Sequence, residues 1–331
     1  MLEPKSLHDD TRNSPMHDTP EAKKQVGPSV WIKILRPRQW TKNLIAFAPL
    51  LFAGRLGDIE AVTATTFCTI CLCLVSGSMY IVNDIKDREK DARHPDKKFR
   101  PLASGLVTAK SASVVAIAAL VVGLVGGFLV RPIVGFGLML YVLLQVAYNY
   151  KLKSHAIIDV FSIASGFVLR AAAGGAAAHV ALSGWFLICT SLGALFLGIE
   201  KRRQELLVLG EEANAHRKSF EKYSLPLIDR MESVVVPSLV TAYCIYCFFS
   251  PSGQWMLLTA PFVLFGVLRY QLLSTKHSST GAPEEVLLKD RSIQLCILSW
   301  LVISIGVVYG WIPDAITHLV SAVDSLGVHP R

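Results

Sequence analysis

Apolar runs alternate with polar segments along the whole of this 331-residue chain. The runs lie at about 41–56, 61–84, 108–130, 132–150, 156–178, 183–200, 231–250, 254–273 and 293–312. An α-helix needs ~20 apolar residues to cross a hydrocarbon layer of about 30 Å. Most of the runs meet that length; the first is short, which predicts a tilted or partly re-entrant element. Only Arg131 and Pro132 separate the third run from the fourth, so that turn is tight. The pattern predicts an all-α polytopic membrane protein with about nine transmembrane helices.

The polar segments divide unequally between the two sides such a topology creates. One side collects the flank before residue 41, the 86–110 loop, Lys151 and Lys153, Lys201 to Arg203, the 217–230 loop, and Lys276, Lys289 and Arg291. The other side holds only Arg55, Arg131 and Arg331. Cytoplasmic loops carry the excess of Lys and Arg, so the cation-rich side, with the N-terminus, is expected in the cytosol. Residues 1–28 are polar and lack the apolar core of a signal peptide; they read as a disordered cytosolic tail. A single transmembrane domain is expected over 29–312, with a mixed, interfacial tail over 313–331. Within the 200–229 loop a helical stretch is expected around Glu211 to Tyr223.

Composition agrees with the hydropathy pattern. The chain is 52% hydrophobic with a mean hydropathy of +0.45, too apolar for an ordinary soluble domain. Its net charge of +8 does not point to nucleic acid, because no stretch interleaves basic and aromatic residues as a single-strand binder would. All seven cysteines fall inside apolar runs and read as small core residues. Cys244 and Cys247 form a C-x-x-C pair without a second pair at zinc spacing. There is no P-loop, dinucleotide fingerprint or Ser/His/Asp set.

The chemistry concentrates where the second run ends, between Ser78 and Gly105. Asn83, Asp87 and Asp91 are spaced four and four, which on a helix places them on one face about 6 Å of rise apart. Asp84 joins the edge of that face. Acids so placed repel one another and call for a cation among them. Hard oxygen donors suit Mg2+, which binds through a few carboxylates plus phosphate oxygens. Arg93, Lys97, Lys98 and Arg100 follow, placed to hold further phosphate oxygens.

Two more charged mouths lie on the same side. At the junction of the fourth and fifth runs stand Tyr148, Lys151, Lys153 and Asp159, with Arg170 three turns deeper on almost the same face. An ionisable residue within a span faces a cavity or a partner. The sixth run ends in Glu200, Lys201, Arg202, Arg203 and Glu205. Before the first run, Trp31 and Trp40 suit the interface, and Lys33, Arg36, Arg38 and Lys42 suit lipid headgroups or a lipid phosphate. A transporter would spread charge through the midplane and repeat between halves; here almost all charge lies at one face, Arg170 being the main exception, and no inverted repeat is seen. A scaffold leaves the spaced acids without purpose.

The N-x-x-x-D-x-x-x-D of Asn83, Asp87 and Asp91 resembles the first motif of the UbiA superfamily of intramembrane prenyltransferases. The Y-x-x-K-x-K run and Asp159 look like its second region. The resemblance covers about residues 30–312 and implies a nine-helix bundle with a cytosolic-side active site. Within the superfamily, R-P-R-Q-W-T-K-N (36–43), H-P-D-K-K-F-R-P-L-A-S-G (94–105), D-V-F-S-I-A-S-G-F-V-L-R (159–170) and E-K-R-R-Q-E resemble the branch that transfers phosphoribose to a polyprenyl phosphate. That branch implies Mg2+ held by Asn83, Asp84, Asp87 and Asp91, with Asp87, Asp91 and Asp159 in catalytic roles. Lys42, Arg93, Lys97, Lys98, Arg100, Tyr148, Lys151, Lys153, Arg170, Lys201 and Arg202 would bind substrate. The implied partners are phosphoribosyl pyrophosphate, a polyprenyl phosphate and the bilayer of a bacterial plasma membrane; homo-oligomerisation stays open. One departure stands out: Ile163 occupies the place four residues after Asp159 where many members have a second acid, which favours one well-held Mg2+. The alternative reading is the family's more usual reaction, a polyprenyl group moved from its diphosphate to an aromatic acceptor.

Overall fold

A computed structural model describes residues 27–93, 97–209, 222–275 and 289–325, and all regular structure among them is helical. Most of the tail 1–28, His94, all but the last two residues of the helical stretch expected around Glu211 to Tyr223, and the last residues to Arg331 lie outside the described residues. The elements are α1 (Pro28–Ile34), a 3-10 stretch (Pro37–Phe47), α2 (Ala48–Phe52), α3 (Ile59–Lys86), α4 (Arg88–Arg93), α5 (Ala109–Val130), α6 (Pro132–Tyr150), α7 (Ile158–Ala177), α8 (Gly184–Leu209), α9 (Leu225–Phe248), α10 (Ala260–Thr275), α11 (Arg291–Val308) and α12 (Trp311–Ser325). Among the described residues, 8 helices are long and apolar enough to cross a membrane: α3, α5 to α9, α10 with its 3-10 lead-in from Gly253, and α11. The chain is a multi-pass membrane protein.

Side-chain chemistry sets where these helices start. Asp58 Oδ1 accepts from the Ala61 N–H at 3.0 Å, Thr108 Oγ1 from Ser111 at 3.2 Å and Asp290 Oδ1 from Ile293 at 2.8 Å. Each cap satisfies a backbone donor the first turn leaves open. Pro132 opens α6 directly after Arg131, which gives the tight turn expected there. Val114, Ile117, Val121, Leu129, Ile133 and Phe136 of α5 and α6 are exposed, as a lipid-facing surface requires.

The first predicted span, 41–56, takes a different form. It is the 11-residue 3-10 stretch followed by the 5-residue α2. It nevertheless runs the length of α3 in the opposite direction. Arg36 meets Asp84 near the end of α3, Asn43 Nδ2 donates to Ser76 Oγ at 3.2 Å midway, and Leu50 packs with Ala61 near its start. A 3-10 helix rises about 2.0 Å per residue, against 1.5 Å for an α-helix. Pro37 to Phe52 therefore reaches about 30 Å, the thickness of a hydrocarbon core, where the same residues as an α-helix would reach only about 24 Å. The segment thus matches a crossing in length, but it takes 3-10 form and is not among the eight spanning helices, where nine were expected.

Close backbone approach holds this segment against α7. A Cβ on Gly174 would lie 2.0 Å from the Ala46 carbonyl oxygen, so only glycine fits. Ala46, Leu72, Val75, Leu138, Tyr141 and Ala173 then form one buried core shared by the 3-10 stretch, α3, α6 and α7. The ends of α3, α6 and α8 and the starts of α5, α7, α9 and α11 gather at one end of the bundle, called the charged end below.

Candidate active site

The acids at the end of α3 keep their spacing although the helix is interrupted. Asp87 is the C-cap residue of α3, and α4 begins at once after it. The backbone bonds Asp87 N–H to Asn83 O (2.9 Å) and Asp91 N–H to Asp87 O (2.8 Å) carry the four-residue repeat across the break. Asp84 and Asp91 are buried, each about 5% exposed. Burial of an unpaired carboxylate is prohibitive, and each has a guanidinium partner. Arg36 grips Asp84 in two bonds, one of them Nε to Oδ2 at 3.1 Å. Arg100 Nη1 donates to Asp91 Oδ2 and lies 3.3 Å from Asp84 Oδ1.

Asn83 and Asp87 face a different cation. Lys153 Nζ donates to Asp87 Oδ2 at 2.9 Å, to Asp87 Oδ1 at 3.1 Å and to Asn83 Oδ1 at 3.3 Å. The four groups expected to converge on one ion are thus drawn in two directions. Among the described residues, no three acidic, His or Cys side chains meet at one point.

The Arg36 pairing was missed in the sequence, where its surroundings read as a membrane flank. Arg36 takes a left-handed backbone, φ 54°. That region is uncommon for residues other than glycine and costs of order 1–3 kcal/mol. The bidentate bond to Asp84 and the stacking of the guanidinium over Tyr80, 5.4 Å from the ring centroid, compensate.

Across the mouth stands a basic wall. Asp159 is 0% exposed, deeper than its place in the first turn of α7 suggests. It is fully engaged: Arg202 Nε lies 2.9 Å from Oδ2, and Tyr223 Oη donates to Oδ1 at 2.7 Å. Tyr223 in turn accepts from the Ile157 N–H at 2.8 Å, at a residue held at φ 71°. Burial, then the Asp159 charge, pushes the Tyr223 phenol above its usual value, so it remains a donor. Arg202, itself 0% exposed, also pairs with Glu205. Asp159 and Glu205 therefore fix a guanidinium that Tyr148 and Lys201 adjoin electrostatically, and Lys42 adjoins Lys201. Lys42 Nζ bonds the Gln39 side chain. Lys97 closes the wall from the 3-10 turn Lys97–Phe99. Burial, and then Arg100 beside it, holds its amine below the usual lysine value, while Glu205 and Asp91 act the other way.

Other expected residues fall elsewhere. Arg93, Lys98 and Lys151 are exposed at the rim, Lys98 over the Phe99 ring. Arg170 lies inside the bundle and binds protein groups: Asn43 Oδ1 at 2.8 Å, Gly166 O at 3.0 Å and Tyr141 Oη at 2.7 Å. It ties α7 to α6 and to the 3-10 stretch. Glu200 and Arg203 join Asp229, Glu232 and Ser274 in a separate network between α8, α9 and α10.

Comparison with known proteins bears on this arrangement. Residues 44–289 match the UbiA prenyltransferase family. A decaprenyl-phosphate phosphoribosyltransferase of Mycobacterium tuberculosis is 33% identical over 277 residues, 82% of this chain and 91% of that protein. Its namesake in Mycolicibacterium smegmatis is 33% identical over 308 residues, 86% of this chain and 96% of that protein. Among solved structures, a UbiA homolog from Archaeoglobus fulgidus bound to DMAPP and Mg2+ has a TM-score of 0.64 at 15% identity, covering 84% of this chain and 99% of that one. The eight spans, the acids closing α3 and the matched residues agree, and the chain belongs to the UbiA prenyltransferase family.

Proposed function

We propose that this protein transfers 5-phosphoribose from phosphoribosyl pyrophosphate to a polyprenyl phosphate of the decaprenyl type, releasing pyrophosphate. The observation that carries the reading is the two-sided mouth. Acids on α3 and α4 share the charged end with Lys42, Lys97, Lys153 and Lys201, more cationic capacity than one diphosphate needs. The names of the relatives that match along nearly their whole length favour the same reaction. The excess of Lys and Arg on one side supports a bacterial plasma membrane protein with this mouth and the N-terminus on the cytosolic side.

A divalent cation fits the donor set. Asn83 and Asp87 supply hard oxygens, and the Lys153 ammonium already lies within 3.3 Å of three of them, so the position is shaped for positive charge. Mg2+ bound there would neutralise charge developing on the leaving pyrophosphate. The remaining work belongs to the chain. Lys97 and Arg100 hold outer oxygens of the donor. Lys42 and Lys201 position the acceptor phosphate, and Arg202, buried against Asp159 and Glu205, fixes the wall behind them. One acceptor oxygen forms a bond to ribose C1 as the C1–O bond to pyrophosphate breaks, and that electron pair leaves with the pyrophosphate. Attack from the opposite face inverts C1. No general base is needed, because a phosphate monoester with a second pKa of about 6 is already largely dianionic near neutral pH.

The test combines purified protein in detergent, Mg2+, radiolabelled phosphoribosyl pyrophosphate and a polyprenyl phosphate. Label should enter the organic phase, stop with EDTA, and fall at least about a hundredfold in Asp87→Asn. The UbiA homolog bound to DMAPP and Mg2+ favours a second reading, prenyl transfer to an aromatic acceptor. That reading prevails if no label moves and a polyprenyl diphosphate alkylates an aromatic acid instead.

A further inference from the structure

The cations in the acidic mouth are held in two unlike ways. Asp84 and Asp91 have side chains 7% and 8% exposed, and planar guanidinium forks from two directions grip them. Asp87 is more open, 24% exposed, and its partner is an ammonium on a flexible stem, itself 23% exposed. A guanidinium fork fixes geometry, whereas an ammonium is a point charge that its four-carbon stem can carry elsewhere without moving the backbone. Lys153 also sits on a short 3-10 turn, Leu152–Ser154, between α6 and α7. It can leave without disturbing either helix.

We infer that Lys153 is a place-holder for the divalent cation: its ammonium occupies the Asn83–Asp87 cradle until metal enters, and metal and Lys153 exclude one another. The two arginines on Asp84 and Asp91 stay throughout as the fixed frame. This inference rests on the metal-dependent reading above and adds to it an order of events. An ion of charge +2 brought in with pyrophosphate replaces a +1 group on Asp87. The released ammonium would then have its charge balanced by the phosphate oxygens of the donor. Lys153 thereby opposes metal binding in the free protein and supports the donor once metal is present.

The two effects have opposite signs in one variant, which separates this arrangement from a merely structural ion pair. Mn2+ binding to detergent-purified protein is followed by the loss of the free-ion EPR signal, with and without inorganic pyrophosphate. Lys153→Met should bind Mn2+ about two- to fivefold more tightly than the unaltered protein without pyrophosphate, the worth of one partly exposed ion pair. The same variant should turn over more slowly, with a raised KM for phosphoribosyl pyrophosphate. Lys153→Gln should behave alike, and Asp87→Asn should lose Mn2+ binding. Unchanged or weaker Mn2+ binding in both Lys153 variants, with a normal thermal melt, overturns the exchange while leaving the metal reading intact. No Mn2+ binding by any form, even with pyrophosphate, overturns the metal reading and the exchange with it.

Discussion

Asp159 and Arg202 are both 0% exposed and lie 2.9 Å apart, far from water to share their charge. Breaking such a pair from one side strands the other charge, at a cost of about 3 kcal/mol. Asp159→Asn should therefore lower the denaturation midpoint clearly and cut turnover, since the guanidinium loses one of the two carboxylates that fix it. Replacing both, as Asp159→Leu with Arg202→Met, should melt closer to the unaltered protein than Asp159→Asn does, although it stays inactive. A melt of Asp159→Asn matching the unaltered protein would show that the pair is not needed for the fold. Residue identities in the mouth were readable because acids at four-residue spacing carry their own periodicity. Their partners were not. Arg36 is 48 positions from Asp84, and Asn43 is 127 positions from Arg170. A side chain's partner at that separation depends on how helices stack, which no local pattern records.

At the scale of elements, hydrophobic periodicity located all eight regular spans but misjudged one form. It also ended α8 at 200 where it runs to Leu209, and began α9 at 231 where it starts at Leu225, because the polar ends of these helices carry no apolar signal. A window of apolar residues reports that a segment is buried in lipid; it does not report rise per residue. The 3-10 geometry of Pro37–Phe47 comes from packing between α3 and α7, and Gly174 is where that packing is tightest. Gly174→Ala places a methyl group 2.0 Å from backbone, which cannot turn aside as a side chain could. Overpacking of this kind costs about 1–3 kcal/mol or more. The variant should melt lower and lose most of its transfer activity, because the displaced segment carries Arg36 and Lys42. Gly137→Ala, with nothing within 4 Å of the added carbon, is the matched control and should behave normally.

Considered as a whole, the molecule is polarised. Its cations gather at one end of the bundle, and among the described residues the Lys and Arg side chains of the opposite end are Arg55 and Arg131, each engaged with neighbouring groups. In sealed vesicles of known orientation, a membrane-impermeant maleimide should label Lys98→Cys from the cytosolic side and Ser252→Cys from the other. Reversed labelling would invert the proposed topology. The length of the first crossing sets a further condition on the molecule. The segment is anchored at one end by Arg36 on Asp84 and at the other by Leu56, whose N–H donates to Tyr309 Oη at 2.8 Å. Coiling its 11 3-10 residues into an α-helix would shorten it by about 5 Å. The chain between the anchors is too short to relax in place, so the segment behaves as a taut cord. A shorter helical form of the segment would pull Arg36 off Asp84, so the 3-10 geometry and the frame of the mouth stand or fall together.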